Sequence, residues 1–281
     1  MEIIETEKMP WVEAKESIRA GAVSRKFIRE AEISPGVGYI SHLIKLGLGQ
    51  PDEGVYHTPR HRHEFEQIRL VVDGELDFGD GIVCRKNEVA YFPAGALYGP
   101  QRSEGCSILI LQWSNTWVTR PAQAKALEQL RARGEIIDGK FWWTDGAGTR
   151  RSQDSVNAIW EQVHGRKLTF PEPRYIKPIL MRPAAFDWPE GKGTFAVKPL
   201  GRYTEHDLGI SIVRWLRDGD LELADDRTEL VFSLTDGLLH DGATCAARTA
   251  VWSDAGESAT VAASAGTEAL LVRFPSTIAA S

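Results

Sequence analysis

The sequence predicts an all-β protein of two barrels joined by a short helical linker, and three observations carry that prediction. Short apolar runs alternate with Gly, Pro and Asp turns over residues 38–113 and again from Tyr175 onward, as in antiparallel strands closed on themselves. Between these regions, residues 122–133 are almost all strong helix formers and stop at Gly134. Asp73-Gly74 also recurs as Asp236-Gly237, 163 residues on, and Gly95 as Gly256, 161 residues on. A near-constant offset through several elements marks an internal repeat of domain size. The expected division is a first barrel over 1–120, a linker over 121–172 and a second barrel over 173–281.

Taken in order, Trp11 to Ala20 is a short helical candidate, and the stretch from Ser24 to Glu30 is a strand added to a sheet edge. Gly38 to Leu48 is a glycine-bounded strand, on which His42, lacking a second ligand at chelating distance in sequence, reads as structural. The loop Gly49 to Gly54 turns the chain into the stretch from His57 to Gly74, where three of the seven histidines fall within seven residues. A hairpin turning at Asp80-Gly81 follows, then short strands over 82–85 and 89–92 and a fully buried one over 107–113. In the linker, 122–133 and 152–163 are helices. The aromatic run Phe141-Trp142-Trp143 between them packs between domains, so the segment is read as packing material and not as a lid. Candidate strands resume at 176–181, 209–215 and 229–234.

Continuous strand alternation from His61 would set His61, His63, Phe65, Gln67, Arg69 and Val71 on one face. Two imidazoles, an amide and a guanidinium inside a barrel need a metal or a polar ligand as partner. A His pair at i, i+2 can chelate a divalent cation. If the strand is instead wet on that side, the pair is simply solvated.

The same residues resemble the cupin superfamily. Its first motif stands here as Gly54, His61-Arg-His63, Gln67 and Gly74, and its second as Pro93-Ala-Gly95-Ala-Leu-Tyr98. The resemblance implies two jelly-roll barrels, a bicupin, with a metal held by His61, His63, Gln67 and Tyr98. Gln67 replaces the family's glutamate and Tyr98 its last histidine; Glu66 could supply the carboxylate only by a register shift that reverses every side chain. A metal on altered ligands, a metal held weakly by two histidines and water, and a metal-free hydrogen-bonding pocket all stay open. The implied cofactor is a divalent transition metal: Fe, Mn, Ni or Zn. In the second copy the His pair is replaced by Ala224 and Asp226, or by Leu223 and Asp225 in the neighbouring register. Its second motif reads Asp254-Ala-Gly256-Glu-Ser-Ala259, and His206 and His240 read as solvated, so that barrel is structural or dimer-forming.

Arg69 and Tyr98 are the candidate catalytic residues, and Arg69, His57, Tyr91 and Trp113 the candidate substrate contacts. Arg69 must meet either an internal carboxylate such as Glu88 or Glu75, or the carboxylate of a ligand. The expected activity is that of a metal-dependent enzyme (dioxygenase, isomerase or lyase) acting on a small anionic organic molecule. The alternative is a non-catalytic binding or sensing bicupin without a tightly bound metal. A net charge of −6 with no basic block argues against nucleic acid. Three cysteines in no pattern, no apolar run of membrane length and no signal-like N-terminus lead to the expectation of a cytoplasmic homodimer away from membranes.

Overall fold

The computed structural model describes residues 1–13, 21–47, 55–189, 193–203 and 207–275. The loop Gly49 to Gly54, His206 and most of the helical candidate Trp11 to Ala20 lie outside the described residues. Val12–Glu13, within that candidate, is a short strand pairing with Arg25 and Ser24.

Two antiparallel sheets form the body. In the first, the order is Ile179–Met181, Val89–Phe92, Glu66–Asp77, Cys106–Ser114, Val37–Leu46, Val23–Ser34 and Val12–Glu13. Short strands Tyr56–Thr58, Val83–Arg85 and Gln101–Ser103 fold over its inner face. The second sheet runs Glu2–Glu5, Thr249–Ser253, Glu229–Ser233, Glu268–Arg273, Leu208–Trp215 and Phe195–Tyr203, opposed by a smaller four-stranded sheet. The central orders correspond strand for strand, as a duplicated jelly roll requires. The halves also exchange edges: Glu2–Glu5 pairs with Thr249–Ser253, and Ile179–Met181 pairs with Val89–Phe92. One strand therefore crosses the expected boundary in each direction, and each covers a sheet edge of the other barrel.

The pleat decides what each face meets. Ile68, Leu70, Leu109, Leu111 and Trp113 leave the first sheet on its outer side and pack on Ile210, Ile212, Leu230, Phe232 and Phe274 of the second. Aromatic rings centre this interface: Tyr39 stacks on Trp252 at 5.0 Å, and Trp113 meets Phe274 edge-on at 5.4 Å. The central strands of the first sheet are therefore buried on both sides. Inside the second barrel, Val213, Leu221, Leu223, Val231, Val251, Val261 and Leu271 fill the space with apolar atoms.

The linker is more than helical. Helix α1, Arg120–Arg131, and helix α2, Ser155–His164, flank a three-stranded sheet of Gly134–Ile137, Lys140–Thr144 and Arg150–Asp154. Its first hairpin turns at Asp138-Gly139, both at positive φ (49° and 77°), a pairing that is itself a strong hairpin signal. Asp154 caps α2 by accepting from the Val156 amide at 2.9 Å, and Gly165 ends it in the left-handed region. Phe141 is buried with Ala126, Leu130, Ala158 and Ile159. The aromatic run thus packs the linker against itself, and not one barrel against the other.

Candidate functional site

The histidine pair does not stand on a strand. The strand begins at Glu66, and His61 is held by a single bridge, its N–H and C=O each paired with Tyr98 at 3.0 Å. Two residues on, the His63 carbonyl accepts from the Gly95 amide at 2.8 Å. Gly95 has φ +80°, and a Cβ there would lie 2.1 Å from the Pro171 carbonyl oxygen, so only glycine fits. These contacts achieve what the expected alternation would have done by another route. The ring centroids of His61 and His63 lie 4.9 Å apart, and that of Tyr98 is 4.6 Å from His61. His63 stacks on Phe65 at 4.3 Å. His61 Nδ1 is 2.7 Å from the Pro59 carbonyl, so this nitrogen carries the proton and Nε2 is the acceptor.

The same backbone bonds settle the register of the second copy. Leu223 N–H donates to the Ala259 carbonyl at 2.9 Å and Gly256 N–H to the Asp225 carbonyl at 2.7 Å. Leu223 and Asp225 therefore replace His61 and His63, and Ala259 replaces Tyr98.

From Glu66 onward, ordinary alternation holds. Facing partners across the sheet form inward rows: Gln67, Gln112, Ile40 and Glu30 in one, and Arg69, Ile110, His42 and Phe27 in the next. The Gln67 side-chain oxygen accepts from Arg69 Nη2 at 2.9 Å, Arg69 Nε at 3.3 Å and Gln112 Nε2 at 3.0 Å. The Tyr98 hydroxyl accepts from Gln67 Nε2 at 3.1 Å and Arg69 Nη2 at 3.0 Å. Arg69 is 5% exposed and lies 4.5 Å over the Phe92 ring. Neither carboxylate expected as its partner reaches it: Glu88 binds the Arg85 amide and Arg182, and Glu75 pairs with Arg85.

Above this floor lies a cavity of about 730 Å³, the size of a small-molecule site. His61, His63 and Arg69 line it together with His42, Glu64, Gln101, Arg25 and Arg120, and Phe27, Phe65, Trp117 and Trp160 supply apolar wall. Residues of α1 and α2 close one side, so the linker forms part of the cavity. His42, Gln101, Glu64 and Trp160 each present a buried polar atom with no hydrogen-bond partner among the described residues; for His42 both ring nitrogens are in this state. Burial, then the charges of Arg25, Arg69 and Arg120, hold the His42 pKa well below 6.5, so its ring is neutral at pH 7. Burial pushes the Glu64 carboxyl up to about 7.

Three expected substrate contacts lie elsewhere. Tyr91 donates to Glu66 at 3.0 Å and packs on Tyr203, and Trp113 packs on Phe274; both point outward, into the interface between barrels. His57 is exposed, because its buried strand neighbours Tyr56 and Thr58 point the other way. His42, read from sequence as structural, lines the cavity. Its signal was an imidazole within a buried strand that is apolar but for Ser41 and Lys45. Arg25, Gln101, Arg120 and Trp160 reach the site from strands and helices remote in sequence and carried no local signal.

The implied metal can be tested against this donor set. Both oxygens offered to it, those of Gln67 and Tyr98, already accept from a guanidinium. A dication bound to either would sit within roughly 5 Å of a full positive charge, a repulsion of about 7 kcal/mol at an effective dielectric of about 20. Among the described residues, no group of three or more His, Cys, Asp or Glu is placed to hold a metal. The four-residue set does not fit a divalent ion.

The architecture is the cupin jelly roll, doubled within one chain. Solved structures share it over nearly the whole length. A protein from Nostoc punctiforme is 12% identical, with a TM-score of 0.62 over 99% of this chain and 84% of its own. HEPD from Streptomyces albus, with 2-hydroxyethylphosphonate and Fe(II) bound, is 14% identical, with a TM-score of 0.53 over 98% and 76%. Oxalate decarboxylase from Bacillus subtilis is 11% identical, with a TM-score of 0.50 over 98% and 75%. At these identities the likeness is one of fold. No family model matches the sequence, and no curated protein matches it.

Proposed function

We propose that this bicupin binds a small anionic organic molecule in the cavity of its N-terminal barrel, using Arg69 where metal-dependent cupins use an ion. The observation that carries this reading is the gathering of unpartnered buried polar atoms around one cavity that also holds three guanidinium groups. Buried polar atoms left unpaired each cost about 1–3 kcal/mol, and a ligand that pairs several of them recovers that cost on binding. Three guanidinium groups face two carboxyls at the wall, and burial pushes one of these, Glu64, up to about 7, so positive charge dominates. The C-terminal barrel, filled with apolar side chains, serves as the platform on which the first sheet rests.

Calorimetric titration of chelator-treated protein with small carboxylates tests this. Binding with a Kd below about 1 mM that is lost in Arg69→Met supports it, and unchanged binding in that variant overturns it. A metal-dependent enzyme is the second reading, favoured by the adjacent His61 and His63 rings and by the anchored Nδ1 of His61. Elemental analysis separates the two: about one transition metal per chain, lost in His61→Ala/His63→Ala, would put this second reading first.

A further inference from the structure

Three features of the cavity wall together say more about its occupant than its charge alone. The first is His42. It is 6% exposed, and neither ring nitrogen has a hydrogen-bond partner among the described residues. A neutral imidazole carries one donor and one acceptor, on opposite sides of the ring. A carboxylate, which only accepts, can pair with the N–H and leaves the other nitrogen unmet. The second is Glu64 Oε2, a carboxyl oxygen that is also unpartnered and on the same cavity. The third is the surplus of guanidinium over carboxyl. Arg25, Arg69 and Arg120 face the cavity with His42, so a cationic donor such as an ammonium group is disfavoured there. Unmet donors are also at hand: Gln101 Nε2 and Trp160 Nε1, in side chains 1% and 3% exposed.

We infer that the occupant is a hydroxy acid: an anion held by Arg69, with a neutral hydroxyl that donates to the acceptor nitrogen of His42, the one a carboxylate cannot meet, and accepts from a wall donor such as Gln101. This names the ligand class within the preceding reading and rests on it. It makes His42 a specificity-determining residue. A site built to pair with a hydroxyl rejects the analogue that lacks it, because its own buried groups then stay unmet. The amino acid of the same skeleton is rejected for a different reason, the repulsion of its ammonium group by three guanidinium groups.

The test uses three matched triads, each differing only in the group at the second carbon: lactate, propionate and alanine; phenyllactate, phenylpropionate and phenylalanine; indolelactate, indolepropionate and tryptophan. Calorimetry on the intact chain measures each. In at least one triad, the hydroxy acid is expected to bind ten-fold or more tightly than both partners. In His42→Phe, which keeps a planar ring of similar size, that preference falls to about two-fold while the deoxy acid binds as before. Gln101→Leu serves as a second variant should His42→Phe fail to fold, and circular dichroism checks both. Equal binding of hydroxy and deoxy acids to the native protein overturns the hydroxyl inference and leaves the anion site standing, as does a preference that survives the folded variants. Tighter binding of the amino acids overturns it too. If no carboxylate binds, the anion site falls with it.

Discussion

Replacing Arg69 by Met separates the stability of the site from its function. The guanidinium makes two good charge-assisted hydrogen bonds, to Gln67 and Tyr98, and lies over Phe92. These contribute roughly 1.5–3 kcal/mol each for the bonds and about 1–2 for the ring contact. Against them stands the burial of a cation that has no carboxylate partner among the described residues, a cost of several kcal/mol. Removal does not orphan the acceptors: Gln67 keeps the bond from Gln112, and Tyr98 keeps the bond from Gln67. The opposing terms are of similar size, so Arg69→Met should change unfolding free energy by less than about 2 kcal/mol in denaturant titration. Carboxylate binding should weaken about 100-fold or more, equivalent to about 2.7 kcal/mol. Were Arg69 a structural ion-pair partner, the loss would be about 3–5 kcal/mol. Destabilisation of that size with carboxylate affinity intact would refute the argument.

Other outcomes follow from the same geometry. His42 is buried neutral, with its pKa below the unfolded value of 6.5, so the unfolded chain takes up a proton that the folded one refuses. Its contribution is therefore complete above pH 6.5 and is lost as pH falls, by up to about 1.4 kcal/mol per unit; His42→Leu should flatten that part of a stability-versus-pH curve, and an unchanged curve would count against the neutral ring. Phe274→Ala, which empties the aromatic contacts with Tyr39, Trp113 and Trp252, should cost about 3–5 kcal/mol; a loss under 1 kcal/mol would mean that the barrels are not held there. Gly95→Ala should destabilise by more than about 2 kcal/mol and weaken carboxylate binding, since the methyl meets the Pro171 carbonyl beside the turn that holds His63. The triple variant Gln67→Glu/Tyr98→His/Arg69→Leu restores a His, His, Glu, His set and removes the competing cation. It should bind about one Mn or Fe per chain by elemental analysis, while Gln67→Glu alone, with Arg69 beside the new carboxylate, should not.

Strand content, the duplicated barrel and the polar floor of the first copy were legible in the sequence, because each is written in local terms. Period-two alternation, Gly and Asp turns and the repeated Asp-Gly spacing depend on neighbours a few residues apart, and His61, His63, Gln67 and Tyr98 fall in two short motifs. The linker hairpin was legible too, at Asp138-Gly139, but the helix formers on either side outweighed it. Tertiary structure decided the rest. Tyr91 and Trp113 stand on strands next to the site, yet a one-residue difference in parity turns them to the opposite face, where the second barrel covers them. The irregular path from His61 to Phe65 depends on backbone bonds to residues 93–98. His42, Gln101 and the linker residues share a cavity only after the sheet has closed, and only the closed sheet shows that Arg69 meets Gln67 and Tyr98 while Glu75 and Glu88 pair elsewhere. Sequence carries the pattern of each strand, whereas what a buried polar atom finds opposite it is set by contacts across the barrel, which no local pattern records.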